Sequence, residues 1–221
     1  MQPLSAMERG TEGTLVIACG ALAREIAALR RANGWTQLDV SCLPPQLHNR
    51  PERIPGAVRA LIQGARGRYR SIFVAYGDCG TGGELDRVLR QEGVERIPGA
   101  HCYEFFATSA VFERLTEAEI GTFYLTDFLL RHFDRLVIKG LGLDRHPELF
   151  PTYFGSYRKL VYLAQAGDAA AIERARSIAA RMGLAFEHCR TGHGTLGTSL
   201  AAAMQRQQAQ QPRQQGAVWA H

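Results

Sequence analysis

TLVIAC, at residues Thr14–Cys19, is an unbroken apolar run, and SIFVAY at residues 71–76 has the same character. Short apolar runs rich in branched and aromatic side chains are typical of strands that are buried on both faces. Residues 21–33 follow the first run, and they place Leu22, Ile26 and Leu29 on one face of a helix. These stretches therefore predict strands that alternate with helices, which is the pattern of a parallel sheet.

The same alternation continues along the chain. Further strands are expected at residues 36–43, 95–98, 121–125, 159–164 and 185–189, and further helices at 53–67, 84–91, 103–115, 126–137 and 168–182. We expect an α/β fold with three layers, in which a mostly parallel, Rossmann-like sheet carries helices on both faces. An arrangement of two lobes that meet near residues 115–150 is the alternative. The single domain would span residues 14–204, between a flexible N-terminus (1–13) and a flexible Gln-rich tail (205–221).

Composition and charge exclude several classes of protein. The 221 residues are 46% hydrophobic and 21% charged, which is close to the globular average and excludes a disordered chain or a coiled coil. The net charge is +5, but arginines alternate with acids, as in ELDRVLRQE at 84–92, so no nucleic-acid partner is expected. No apolar run approaches the roughly 18 residues of a membrane span, and the run at 15–19 is too short for a signal peptide. We therefore expect a cytoplasmic protein with no membrane partner.

Four successive strands each lead to a residue that binds soft metals. Cys19 closes the first strand, His48 follows the second, Cys79 follows the third and Cys102 follows the short fourth strand. Because the carboxyl ends of parallel strands meet at one edge of a sheet, these side chains are expected to converge. Thiolates and imidazole are the ligands that zinc prefers, usually four in a tetrahedron. The sequence therefore predicts a zinc site built from these four residues.

Several other interpretations of the same residues stay open. If one of the four is not a ligand, three protein ligands and an open position would make a catalytic site, and His101 could replace Cys102 or His48. An iron or iron–sulfur centre also fits the cysteines, although a cluster usually takes four thiolates. The thiols could instead do redox or nucleophilic chemistry, or be buried without any chemistry, which is how we interpret Cys42 and Cys189.

Other candidate residues lie close to these in the sequence. The segment GDCGTGG at 77–83 precedes a helix, and the backbone N–H groups of Gly80, Gly82 and Gly83 could bind an anionic ligand or cofactor group. The alternative is a tight turn that directs Cys79 inward. Asp78 and Glu25 are the candidate catalytic carboxylates, as proton carriers or partners of a metal ligand. His193 follows the last strand, and we interpret it as an ordinary loop histidine.

Five segments taken together resemble the domain-of-unknown-function 1638 (DUF1638) family. They are ACG at 18–20 with Glu25, LHNRP at 47–51, YGDCG at 76–80, HCY at 101–103 and GTFYLT at 121–126. The resemblance covers roughly residues 14–200 and implies no particular reaction. It does imply an association with corrinoid proteins and methyltransferases, so a corrinoid protein or a methyltransferase is an expected partner.

The residues and the resemblance together lead to a functional hypothesis. A metal-bound thiolate attacks methyl groups at neutral pH because the metal displaces the thiol proton. We therefore expect a zinc protein that catalyses or assists methyl transfer with a small-molecule substrate, with any corrinoid held by a partner. Two alternatives stay open. One is a non-enzymatic accessory factor that carries a metal or cofactor, and the other is a zinc-dependent hydrolase of a small amide, with Asp78 or Glu25 as base.

Overall fold

A computed structural model describes residues 13–209, and it has the predicted alternation of strands and helices. The strands are β1 (Thr14–Cys19), β2 (Leu38–Leu43), β3 (Ser71–Ala75), β4 (Glu95–Arg96), β5 (Thr122–Thr126), β6 (Lys159–Ala164) and β7 (Ala185–Arg190). The helices are α1 (Ala23–Ala32), α2 (Ile54–Ala65), α3 (Glu84–Glu92), α4 (Glu104–Ala107), α5 (Ser109–Ala118), α6 (Asp127–Arg131), α7 (Phe150–Phe154), α8 (Ala169–Arg181) and α9 (Gly194–Ala209).

The strands form two sheets, each with parallel pairing. The first has the order β2-β1-β3-β4 and the second the order β5-β6-β7. The predicted layered α/β class is therefore confirmed, with the strands divided between two sheets rather than joined in one. Because β4 pairs with β3 over two residues only, it offers little edge for another strand, and the chain starts a new sheet at β5.

The order of the first sheet places a crevice beside β1. The chain passes from β1 to β2 on one side and then crosses back to β3 on the other side of β1. At such a switch point the connections leave the sheet in opposite directions, and ligands bind outside the carboxyl ends of the strands there. All six residues of β1 are buried, which accounts for the unbroken apolar run that predicted it.

Each sheet has its own apolar core. In the first, α2 packs through Ile54, Val58 and Ile62, which are fully buried and spaced at four residues, as one face of a helix requires. In the second, Leu160 and Tyr162 of β6 lie in a core that also includes residues of α6 and α8. The two cores hold the strands of both sheets in place, and the loops extend from the ends of those strands.

Some predicted boundaries differ from the structure. The helix predicted at 103–115 is broken at Thr108, whose φ of 65° interrupts helical geometry between α4 and α5. The helix predicted at 126–137 ends at Arg131, and a π-helical turn follows at Asp134–Ile138. Helix α9 continues to Ala209, past the predicted domain end at residue 204.

The remainder of both predicted flexible segments, residues 1–12 and 210–221, lies outside the described residues. Within residues 13–209, no helix combines the length and the apolar character that crossing a membrane would require.

Candidate metal centre

The carboxyl edge of the first sheet brings the predicted ligands together. Cys19 is the last residue of β1, His48 lies on a 3₁₀ turn (Pro45–Asn49) after β2, and Cys79 and Cys102 lie on the loops after β3 and β4. The donor atoms of His48, Cys79 and Cys102 all lie within 4.8 Å of one another. The sulfurs of Cys79 and Cys102 are 3.3 Å apart. These three residues form the metal-ligand cluster referred to below.

Cys19 lies beside this cluster. Its sulfur is 3.9 Å from Nδ1 of His48 and accepts a hydrogen bond from the backbone N–H of Ala21 at 3.4 Å. Among the described residues it is not part of the group whose donor atoms all lie within 4.8 Å of one another. Three of the four predicted ligands therefore lie close enough together to bind one ion. The fourth, Cys19, contacts the imidazole of His48.

The loops that carry Cys79 and Cys102 are bound to each other through their backbones. The N–H groups of Asp78 and Cys79 donate to the carbonyls of Gly99 and Ala100 at 3.1 and 2.8 Å. Gly77 permits this approach, because a Cβ at that position would lie 2.8 Å from the carbonyl carbon of His101. Cys79 has a φ of 50°, a conformation that non-glycine residues rarely adopt. The backbone thus fixes the two sulfurs against each other.

Arg96 stabilises the loop that carries Cys102. This arginine is only 13% exposed, and its guanidinium donates to the carbonyls of Ile97 and Gly99 at 2.8 and 3.1 Å. It also forms a two-pronged ion pair with Asp86 of α3, at 2.6 and 2.9 Å. Because α3 directly follows the Cys79 loop, this pair joins the two loops a second time.

The glycine-rich segment forms a turn around Asp78. The Asp78 carboxylate accepts hydrogen bonds from the Thr81 hydroxyl at 2.6 Å and from the N–H groups of Gly82 and Gly83 at 3.1 and 2.8 Å. Burial acts to raise the pKa of Asp78, but these hydrogen bonds outweigh it and the pKa is lowered. Two of the N–H groups predicted to bind an anion are thus already bonded to Asp78. Anion binding by Gly80, Gly82 and Gly83 stays a prediction.

The cysteines influence one another's protonation. Hydrogen bonding with the Cys102 sulfur, and with His101 and His48, lowers the pKa of Cys79. The pKa of Cys102 is raised by its contacts with the Cys19 and Cys79 sulfurs and by burial. Burial acts to lower the pKa of His48, but its contacts with the Cys19 and Cys79 sulfurs raise it to about 10. The site thus contains both thiolate and protonated sulfurs that share protons. A bound metal ion would take the place of those protons.

Tyr76 is a residue of this site that sequence reasoning missed. It is fully buried at the end of β3, and within the described part of the chain its hydroxyl has no hydrogen-bond partner. Burial raises its pKa, and the charges of Cys19, Cys102 and Cys79 raise it further. A buried hydroxyl without a partner is costly, and an anionic sulfur or a ligand nearby would satisfy it. Its sequence signals were its position three residues before Cys79 and its place in the YGDCG segment that resembles the DUF1638 family.

Glu25 lies in a different environment from the cluster. It is 6% exposed on α1, and its Oε2 has no hydrogen-bond partner among residues 13–209. Burial raises its pKa, and the charges of Arg131, Asp127 and His193 also act on it. The charges that act on Glu25 therefore include those of His193 and Asp127 rather than those of the cluster. Asp127 in turn accepts hydrogen bonds from the Tyr162 hydroxyl at 2.7 Å and from backbone N–H groups after β6.

The two remaining cysteines differ from each other. Cys42 is exposed, because β2 is the edge strand of its sheet, so its interpretation as a buried packing residue is wrong. Cys189 is half-buried and packs against the small apolar cluster that includes Val161 and Leu163.

A cavity of about 350 Å³ opens beside the metal-ligand cluster. One wall comes from the loops of the first sheet, including His48 and Cys102, and the other comes from β5 and the segments that follow it. Its aromatic lining residues are Tyr103, Phe106, Phe123, Tyr124, Phe128, Tyr153, Phe154 and Tyr157. Of the described residues that line it, none is Asp, Glu, Lys or Arg. A metal ion held by the cluster would border this apolar space.

Comparison with known proteins gives one match. The family described as "Protein of unknown function (DUF1638)" matches residues 42–200, a range that includes His48, Cys79 and Cys102 and begins after Cys19. No curated protein and no solved structure matches the chain. Since the match covers well over half of the sequence, the resemblance is confirmed, and this chain belongs to the DUF1638 family.

Proposed function

We propose that this chain is a zinc enzyme that transfers an alkyl group, such as methyl, to a thiol bound at the metal. His48, Cys79 and Cys102 would hold the ion. The observation that carries the proposal is that two members of this cluster, His48 and Cys102, line an apolar cavity whose described lining includes no carboxylate, amine or guanidinium.

The donor set fits zinc. Two thiolates and one imidazole are soft to borderline ligands, and three protein ligands leave a fourth position for a substrate. The contact between Cys19 and Nδ1 of His48 leaves Nε2 for the metal and orients the ring, as partners of metal-bound histidines commonly do. Cys19 is in this proposal a positioning residue, and its predicted role as a fourth ligand is the alternative.

The surroundings of the cluster favour alkyl transfer over hydrolysis. Hydrolysis at zinc is helped by a base beside the metal-bound water. The Asp78 carboxylate is held by three donors of its own turn, and Glu25 is not among the residues that line the cavity. Alkyl transfer needs no base once the metal has displaced the thiol proton. The sulfur forms a bond to the alkyl carbon as the donor's bond to that carbon breaks, and the donor leaves with the electron pair.

Metal analysis tests the first half of the proposal. The purified chain, loaded with zinc and desalted, is expected to retain about one ion per chain. Cys79→Ser and Cys102→Ser are expected to lose most of it, whereas Cys42→Ser, which alters an exposed cysteine on the edge strand, should retain it. Equal zinc content in the parent and in both cluster variants would contradict the assignment.

A transfer assay tests the second half. The zinc-loaded protein is incubated with methylcobalamin, the donor suggested by the expected corrinoid association, and with a thiol, and methyl thioether is measured by mass spectrometry. We expect thioether formation that depends on the metal and is lost in Cys79→Ser. Zinc binding without any such turnover would instead support the accessory-factor interpretation.

A further inference from the structure

Aromatic side chains that line the cavity beside the cluster pack against one another. Tyr103 stacks on Tyr124 with ring centroids 5.4 Å apart, and Phe123 meets Phe154 and Tyr157 edge-on at 5.7 and 5.6 Å. Rings packed in this way hold one another in place and offer both faces and edges to a ligand. The walls are therefore preformed, and their shape suits a flat or bulky apolar group.

Three hydroxyl groups on these walls already have partners. The Thr122 hydroxyl donates to the Glu119 carbonyl at 2.6 Å, and the Tyr124 hydroxyl lies 3.1 Å from that of Thr116. Thr126 accepts a hydrogen bond from the N–H of Leu129 at 3.3 Å. The amides of Gln46 and Asn49, which also line the cavity, lie on the same 3₁₀ turn as His48, so a ligand's polar atom would find partners at that end.

The lining also determines which charges the cavity accepts. A carboxylate or an ammonium group that enters loses its hydration. Among the described lining residues it meets no Asp, Glu, Lys or Arg, and His48 would be neutral as a metal ligand. Aromatic faces attract cations, by about 0.5–1 kcal/mol at exposed sites and by about 2 kcal/mol or more at desolvated ones, but the cost of burying an unpaired charge is larger. The walls therefore favour an uncharged ligand.

We propose that the cavity binds an uncharged thiol with an aromatic or similarly apolar body, and that its sulfur takes the open position on the metal. The body would pack between the rings of β5 and α7, and the sulfur would reach the cluster at His48 and Cys102. The role of the sulfur rests on the proposed function, whereas the selection of the body rests on the cavity alone. A volume of about 350 Å³ is within the range of small-molecule sites.

Four probes test this by calorimetry on the full chain. Benzyl mercaptan has the proposed chemistry, benzyl alcohol lacks the sulfur, 3-mercaptopropionate carries a negative charge and cysteamine carries a positive one. For the zinc-loaded protein we expect benzyl mercaptan to bind at least tenfold more tightly than each of the others. For the metal-free protein we expect benzyl mercaptan and benzyl alcohol to bind with similar, weaker affinity. Either charged thiol binding the loaded protein as tightly as benzyl mercaptan would overturn the inference.

A matched pair of variants locates the binding. Tyr153 lines the cavity and is 43% exposed, so Tyr153→Ala removes one wall ring without opening a core. Ile120 is 88% exposed and is not among the lining residues, so Ile120→Ala is the control. We expect Tyr153→Ala to weaken the binding of benzyl mercaptan by about fivefold, in line with an aromatic contact, and Ile120→Ala to leave it unchanged. No change in either variant would contradict binding in this cavity.

The two proposals fail in distinguishable ways. If the chain holds no zinc but benzyl alcohol binds and Tyr153→Ala weakens that binding, the metal chemistry is wrong and the choice of an apolar body stands. If zinc is held with the expected stoichiometry but benzyl mercaptan and benzyl alcohol bind the loaded protein equally, the proposed position of the sulfur is overturned.

Discussion

The sulfurs of Cys79 and Cys102 are 3.3 Å apart, although the two residues are 23 positions apart in the chain. This contact is too long for a covalent S–S bond and short enough for a thiol to donate to a thiolate. It results from two loops whose backbones are hydrogen-bonded together beyond β3 and β4. Two sulfurs held in this way can bind one metal ion, and in its absence they can also form a bond with each other.

Oxidation is expected to join these two cysteines in the metal-free protein. With hydrogen peroxide, the two thiols lose two protons and two electrons to form a disulfide, and the peroxide becomes two molecules of water. We expect thiol titration to show the loss of two thiols, reversible with a reductant. Zinc-loaded protein should resist, since both sulfurs are then ligands.

The exposed Cys42 would react early and obscure this result, so Cys42→Ser is the parent for the oxidation experiment. In that background, Cys102→Ser should abolish the reversible loss of two thiols. Equal oxidation rates with and without zinc would show that Cys79 and Cys102 are not shielded by a metal.

Gly77 is expected to be intolerant of substitution. In Gly77→Ala the new methyl group would lie 2.8 Å from the carbonyl carbon of His101, and the atoms it meets there are backbone atoms that cannot rotate away. The Cys79 and Cys102 loops would have to separate, at a cost of about 1–3 kcal/mol in the free energy of unfolding. We expect lower stability in urea and weaker zinc binding measured against a competing chelator.

A second glycine provides the control for this experiment. Gly64 lies in α2, and a Cβ there meets nothing within 4 Å, so Gly64→Ala should stabilise the protein by about 0.5–1 kcal/mol with unchanged zinc affinity. If Gly77→Ala were as stable as Gly64→Ala, the close approach of the two loops would be wrong.

The pair of Asp86 and Arg96 is expected to make stability depend on pH. The hydrogen bonds from Arg96 lower the pKa of Asp86 in the folded protein, so the pair stabilises it fully above the ordinary value of 3.8. That contribution is lost as the pH falls below 3.8 through the folded pKa. We expect Asp86→Asn to lower the free energy of unfolding by about 0.5–1 kcal/mol at pH 7, because it removes a charge-assisted pair that solvent screens at the 39% exposed Asp86 side chain, and by less near pH 3.

Arg96→Lys distinguishes the charge of Arg96 from its geometry. Lysine keeps the positive charge but cannot reproduce the fork that contacts Asp86 and the carbonyls of Ile97 and Gly99. We expect a loss of stability comparable to that of Asp86→Asn, accompanied by weaker zinc binding at the adjacent Cys102 loop. Unchanged stability in urea at pH 7 would contradict this role.

Cys19 is expected to be dispensable for metal stoichiometry. If it only orients His48, Cys19→Ser should still bind one zinc per chain, with an affinity lower by about tenfold, as is typical for partners of metal-bound histidines. In cobalt-substituted protein, the intensity of the thiolate-to-metal absorption should correspond to two cysteines in both the parent and the variant. A decrease equivalent to one thiolate in Cys19→Ser would identify Cys19 as a fourth ligand.

The elements of this fold were predictable where local sequence determines them. The apolar run Thr14–Cys19 coincides with β1, because a strand buried on both faces needs no alternation. The convergence of His48, Cys79 and Cys102 followed from the rule that parallel strands end at one edge. The strand order was not readable, since it depends on which strands pair across long distances, and the division into two sheets was anticipated only as the alternative of two lobes.

The cavity was the feature least accessible to sequence reasoning. Its walls come from segments between Ala21 and Tyr157, and aromatic residues such as Phe123 and Phe154 are spaced as core residues are. Similarly, the sequence of Asp78 and the glycines after it was compatible with an anion site or with a turn. Only the hydrogen bonds from Gly82 and Gly83 to the Asp78 carboxylate identify the turn. Side chains that share a surface only through tertiary contacts leave no local signal.

Glu25, predicted as a catalytic carboxylate, is also expected to limit stability. Burial raises its folded pKa above the ordinary value of 4.5, so stability is lost as the pH rises from 4.5 through the folded pKa. Glu25→Gln removes this charge and should be more stable by about 1 kcal/mol at pH 8, a gain that shrinks toward pH 4. Urea unfolding at both pH values measures it, with the exposed Glu113→Gln as control. If the gain in stability did not depend on pH, the buried charge of Glu25 would not be its cause. If Glu25→Gln lost methyl transfer but still bound zinc, the result would support a catalytic role for Glu25.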